Sequence, residues 1–210
     1  MRIALTFDDG PNTSITPRIL DLLEEHQIVA TFFLIGEHIT PESAEVVRRA
    51  QSLGCDIENH SVTHSKFDQL TPEAIRGEVA ECTRRIAEIT GRAPAFFRPP
   101  YIAVNPQVFE NVDLTFIYGA DCEDWVPSVS AEERAHRVLA SVRDGELFLL
   151  HDSLGNINTV EALKTIIPAM KDLGCSFHTV AGLFEACDVT PVHSHLYSNV
   201  FQTEDFPLHR

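Results

Sequence analysis

The chain has 210 residues, 44% of them hydrophobic, and a formal net charge of −15. That length buries one substantial core and suits a single domain; the charge argues against nucleic acid, whose phosphates would be repelled, and favours neutral or cationic partners. No run of about 18 apolar residues could span a membrane, and the start "MRIALTFDDG" lacks the charged and apolar regions of an export signal. Cys55, Cys82, Cys122, Cys175 and Cys187 are odd in number and show no CxxC spacing, which suits buried thiols in a reducing compartment. A cytoplasmic location is therefore expected, or export if a leader has been removed. No feature fixes an oligomeric state.

Apolar runs of strand length alternate with longer segments of helical period. Strands are predicted around 3–8, 29–35, 55–58, 95–98, 114–119, 146–151 and 175–180. Thr16-Pro17, Thr40-Pro41 and Thr71-Pro72 each place a capping Thr before a proline at the first helical position, and Ser130 with Glu133 makes a capping box. Gly54, Gly91, Gly145 and Gly174 stand where helices should stop. This alternation implies parallel strands in an α/β fold, either a barrel or a doubly wound sheet, with functional residues at the C-terminal ends of the strands. From about Asp188 to Arg210 the alternation is lost, and the stretch reads as an extension of unknown role. Its His193, His195 and His209 suit a partly ordered tail better than a second metal site.

The first strand ends in "IALTFDDGP", with Asp8 and Asp9 adjacent. Asp-Gly-Pro is ordinary turn chemistry, but two carboxylates at the end of a buried strand each need a cation or donors nearby. "NHSVTH" follows the third strand and sets His60 and His64 four apart, on one helical turn or a tight loop. Two histidines and a carboxylate are a common divalent-metal ligand set. "FFRPPY" closes the next strand with Arg98, whose direction two prolines hold; beside Asp8 it would pair with the carboxylate that binds no metal. "YGADCEDW" then brings Asp121, Asp124 and the only tryptophan, Trp125, which flanked by acids at a strand end could wall a pocket. Cys122 within it reads as a buried structural thiol. "GELFLLHD" ends in His151, on the same strand face as Leu149. With Asp121 holding one ring nitrogen, His151 becomes a proton donor.

In this order, "TFDDGP", "HSVTH", "RPPY", "DCEDW" and "LLH" resemble the five motifs of the NodB-homology polysaccharide deacetylases, carbohydrate esterase family 4. The resemblance runs from about residue 2 to 187, which sets a catalytic domain over 1–187 and the extension over 188–210. It implies a distorted (β/α) barrel and metal-dependent removal of acetyl groups from N-acetylated sugars, chitin-like or peptidoglycan. It makes Asp8 the catalytic base, and Asp9, His60 and His64 the ligands of a divalent ion, Zn first, with Co, Ni or Mn also suited. Arg98 would orient Asp8, and Asp121 would orient His151, the catalytic acid. Trp125 and Leu149 would line the acetyl pocket, and the Tyr101 backbone N–H would help bind the oxyanion. Two positions depart from the usual pattern, Ile102 and Glu58, each where the family commonly has Gly. The same site would also serve acetylxylan esters or small amides, and a non-catalytic carbohydrate-binding protein is a third reading.

Overall fold

A computed structural model describes residues 1–203. The strands are β1 (Arg2–Asp8), β2 (Thr31–Leu34), β3 (Asp56–Asn59), β4 (Phe96–Phe97), β5 (Thr115–Ile117), β6 (Ala120–Asp121), β7 (Glu146–His151), β8 (Ser176–Phe177) and β9 (Leu196–Tyr197). Among them run α1 (Thr16–His26), α2 (Pro41–Ser52), α3 (Pro72–Thr90), α4 (Pro106–Asn111), α5 (Ala131–Ala140), α6 (Ile157–Asp172) and α7 (Val180–Ala186). The sheet order is β6-β7-β1-β2-β3-β4-β5-β9, with β8 on the start of β1. Its ladders are parallel, and the sheet curls into a distorted (β/α) barrel.

Strand alternation sorts the side chains into two layers. Ile3, Leu5 and Phe7 of β1 and Phe148 and Leu150 of β7 face outward and pack on α1, α2 and α6 through residues such as Ile19, Val47 and Leu163. Ala4, Phe33, Phe96 and Leu147 face inward, where Val180, Leu183 and Phe184 of α7 plug the N-terminal end of the barrel. On that inward face the last residue of β1 is Asp8, and of β7 His151; the two are register partners. The polar residues therefore gather at the opposite, open end.

Thr40 and Thr71 cap α2 and α3, accepting from the backbone N–H of Ser43 and Ala74. Ser130 accepts from the Glu133 N–H at 3.2 Å, but the Glu133 side chain turns to Arg137, so the box is only half made. Thr16 differs: α1 begins on it, and its hydroxyl is drawn away to the buried Asp152 carboxylate. The Asn12 side chain takes over, accepting from the N–H of Ser14 and Ile15 at 3.0 and 2.6 Å.

The expected boundary at 187 does not fall there. Tyr118 and Gly119 donate their N–H to the Tyr197 carbonyl at 2.8 and 3.1 Å, Leu147 donates to Ser198 at 3.1 Å, and Val200 donates to Gly145 at 2.9 Å. Residues 196–200 thus lie between β5 and β7 and close the seam of the barrel. Tyr197 and Val200 are buried in the inner core. His193 lies against the Phe109 carbonyl at 2.8 Å and His195 against the Tyr197 hydroxyl at 2.8 Å, so both serve packing; His209 lies outside the described residues. Tyr197→Ala is expected to cost about 3–5 kcal/mol, the range for removing a buried aromatic ring. Urea unfolding checks this; an unchanged midpoint would mean that the closing segment adds nothing to stability.

Candidate metal centre and its acid–base flanks

Asp8 is buried, and its Oδ1 accepts from Arg98 Nη1 at 2.6 Å. The Arg98 guanidinium is wholly buried and lies over the Phe33 ring, 4.3 Å from its centroid, a geometry that favours a cation. Strand alternation would send the next carboxylate away from the cavity, but Asp9 takes a left-handed backbone (φ 75°) and turns back toward it. The two adjacent acids share His60, whose Nε2 lies 3.6 Å from each, but Asp8 alone pairs with Arg98 and Asp9 alone meets His64.

His60 directly follows β3, and its Nδ1 donates to the Arg98 carbonyl at 2.6 Å, which leaves Nε2 as the lone-pair nitrogen. His64 sits in a loop with a left-handed backbone (φ 58°), so the pair meets through a turn and not along a helix. Glu78 of α3 pins that loop by accepting from the N–H groups of Val62 and Thr63, both at 2.9 Å. The Nε2 atoms of His60 and His64 stand 3.6 and 3.4 Å from Asp9 Oδ1. Ligands about 2.0–2.2 Å from a tetrahedral ion would be spaced much like this.

Asp9 Oδ1 is buried without a hydrogen-bond partner, an arrangement a cation would satisfy. Among the described residues, Asp9, His60 and His64 form the one such cluster. Burial works against ionising Asp9, but the surrounding histidines, His60 first and then His151 and His64, hold its carboxyl at about 2. Burial, aided by His60, pushes His64 down to about 4. An ionised carboxylate and a neutral imidazole are the forms that bind a divalent ion. His64→Ala is expected to lower bound metal well below one equivalent by elemental analysis; a full equivalent at unchanged affinity would remove His64 from the ligand set.

His151 faces this cluster, but the sequence assigned its partner wrongly. Its Nδ1 lies 2.6 Å from Asp124 Oδ1, and its backbone N–H donates to Asp124 Oδ2 at 2.8 Å. Asp121 makes no such contact: its Oδ1 accepts from the Glu123 N–H at 2.5 Å, and the side chain sits at the cavity wall. The cause is the turn at Glu123 (φ 56°), which reverses the chain and tucks Asp124 beneath the imidazole. Burial opposes protonation of His151, but the hydrogen bond and charge of Asp124, joined by Asp8 and Asp9, raise it to about 9. Cys122, on the opposite face, packs in the outer core, where burial pushes its thiol up.

The cavity holds about 510 Å³. Leu149 is its buried wall, while Tyr101 and Trp125 are 63% and 48% exposed and flank the mouth. The Tyr101 ring lies 4.6 Å from that of His64, and the Trp125 ring stands edge-on to His151 at 5.5 Å. Tyr101 and Ile102 are both left-handed (φ 57° and 51°), costly for a β-branched residue. Gly119 (φ 101°) shifts the chain from β5 to β6 in close contact with β7, where a Cβ would meet Leu147 and Leu149 atoms at 3.1 Å. Glu58, the other departure, is structural: it accepts from the N–H of Ala95 and Phe96 at 2.7 and 2.8 Å, and burial raises its carboxyl to about 8.

The arrangement defines a divalent-metal centre at the mouth of a parallel barrel, with a buried carboxylate and a carboxylate-linked imidazole facing the same cavity. The polysaccharide deacetylase family model matches residues 1–116, and the chain belongs to that family. It is 44% identical over 199 residues to a bifunctional xylanase/deacetylase of Pseudobutyrivibrio xylanivorans, covering 94% of this chain and 33% of that protein. It is 35% identical over 184 residues to the peptidoglycan-N-acetylglucosamine deacetylase PgdA of Listeria monocytogenes, covering 87% and 39%. The chain thus spans well under half the length of these curated relatives. A solved family 4 acetyl xylan esterase from Clostridium thermocellum, in complex with a cobalt ion, superposes with a TM-score of 0.93 at 39% identity, covering 96% of this chain and 100% of that one.

Proposed function

We propose that the chain is a metal-dependent deacetylase that removes N-acetyl groups from amino-sugar glycans, chitin-like oligosaccharides or peptidoglycan. The observation that carries this reading is the convergence of the Asp9, His60 and His64 cluster, Asp8 and His151 on one cavity. Zn is the first choice of ion, and a His₂Asp donor set also suits Co, Ni or Mn. When bound, the ion supplies Lewis-acid polarisation of the acetyl carbonyl and acidifies water.

The chain's own groups do the proton work. Asp8, ion-paired with Arg98, removes a proton from the attacking water as the new C–O bond forms. His151, raised to about 9, is an imidazolium with a proton on each nitrogen: the Nδ1 proton is committed to Asp124, and the Nε2 proton is the one free to transfer. It passes that proton to the nitrogen as the C–N bond breaks, so a neutral amine leaves. Acetate is the other product. Leu149 and the Trp125 ring bound the space for the acetyl methyl, and the Tyr101 N–H is assigned to the oxyanion.

A second reading, removal of O-acetyl groups from acetylxylan, is favoured by the likeness to the acetyl xylan esterase and to the xylanase/deacetylase. Acetate release separates the two, measured on N-acetylglucosamine oligomers and on acetylated xylan, with metal-stripped protein and after adding Zn or Co. Metal-dependent release from the oligomers is expected. Release from xylan alone would replace the first reading with the second, and none from either would refute both.

A further inference from the structure

Behind the His151–Asp124 pair lies a buried chain of polar groups that the mechanism above does not use. Asp124 Oδ2 accepts from the Thr159 hydroxyl of α6 at 2.7 Å. The Thr159 hydroxyl oxygen in turn accepts from Arg134 Nη1 of α5 at 3.0 Å, and the same Nη1 donates to Asn156 Oδ1 at 2.5 Å. The remaining donors reach backward: Arg134 Nε to the Val129 carbonyl at 3.0 Å and Nη2 to the Val126 carbonyl at 3.1 Å. Val126 directly follows Trp125. Arg134 is only 2% exposed and forms no direct ion pair with a carboxylate among the described residues, and Asp124 is fully buried. A buried guanidinium is costly when it meets only neutral acceptors, and a methionine would fill a helix-packing position more cheaply. What its charge and fork geometry do here is fix two things at once, the hydroxyl that steers Asp124 and the loop that carries Trp125.

We propose that Arg134, acting through Thr159, is a positioning residue for the acid His151 and for the Trp125 wall of the cavity. This rests on the deacetylase reading. The fork locks Thr159 so that its hydroxyl proton points at Asp124, which holds the imidazole with Nε2 aimed into the cavity. Without it, the imidazole and the indole lose their common anchor.

The test compares two substrates that differ in their need for an acid, an N-acetylglucosamine oligomer and 4-nitrophenyl acetate, whose leaving group departs without protonation. Thr159→Val keeps shape and removes the hydroxyl, Thr159→Ser restores it, and Arg134→Met keeps volume and removes fork and charge. For Thr159→Val, kcat on the oligomer is expected to fall about 10- to 100-fold, as for a catalytic group displaced by about an ångström. KM, bound metal and hydrolysis of the nitrophenyl ester are expected to stay near wild type, and Thr159→Ser to recover most of the loss. In Arg134→Met, emission from Trp125, the sole tryptophan, is expected to shift and lose anisotropy. Equal losses on both substrates, or no loss on the oligomer with unchanged emission, would overturn the proposal. Wild-type protein that cleaves the ester but not the oligomer would overturn the deacetylase reading itself, and the acid's role with it.

Discussion

Asp8→Asn is expected to lower turnover by roughly 10²–10⁴-fold, the usual worth of a positioned proton acceptor, and to destabilise the fold as well. The second effect follows from Arg98, whose buried guanidinium has Asp8 as its ion-pair partner. Its Nε and Nη2 find no hydrogen-bond acceptor among the described residues. Removing one member of a buried pair strands the other, at about 3–5 kcal/mol. Chemical denaturation alongside acetate release separates the two losses. Stability retained with activity lost would show that Arg98 finds another counter-charge; activity retained would end the assignment of Asp8 as base.

Asp124→Asn and Asp121→Asn form the second pair, and their expected outcomes diverge. Asp124 both orients His151 and sustains its protonation, so its loss is expected to cost at least about 10²-fold in kcat. The pH profile carries the sign. An acid raised to about 9 by Asp124 keeps its proton below that pH and loses it above, so activity fails on the alkaline side. Without the Asp124 charge the imidazole titrates lower, and the alkaline limb moves to lower pH. The same raised value adds stability that is full below about 6.5 and lost as pH rises through 9. Asp121→Asn keeps an acceptor for the Glu123 N–H and is expected to leave the alkaline limb in place. A shift with Asp121→Asn and none with Asp124→Asn would reverse the assignment.

The exchange of these two aspartates shows where sequence reading stops. Each of the seven predicted strand regions contains a strand, and the polar ends of β1, β3, β4 and β7 meet at one mouth, because period-two alternation and strand polarity fix where those side chains go. Between Asp121 and Asp124 the deciding event is a left-handed residue, Glu123, which is not a glycine and so gives no signal. The strand β9 was equally hidden. It has two residues, too few for any periodicity, and it meets β5, while residues 198–200 after it meet β7, only through barrel closure. Arg134 and Thr159 read as ordinary helix residues, since their meaning comes from α5 packing on α6 below the site.

Closure of the seam also decides where the chain ends emerge. After residue 200 the backbone runs beside Gly145, and the Phe201 ring lies under the Arg2 guanidinium, 5.6 Å from its centroid. Met1 is held there too, its carbonyl accepting from the Ser176 N–H at 2.9 Å. Met1 and Phe201 therefore lie next to each other at the floor of the barrel, away from Tyr101 and Trp125. A module joined ahead of Met1 would attach on the side of the barrel opposite the cavity.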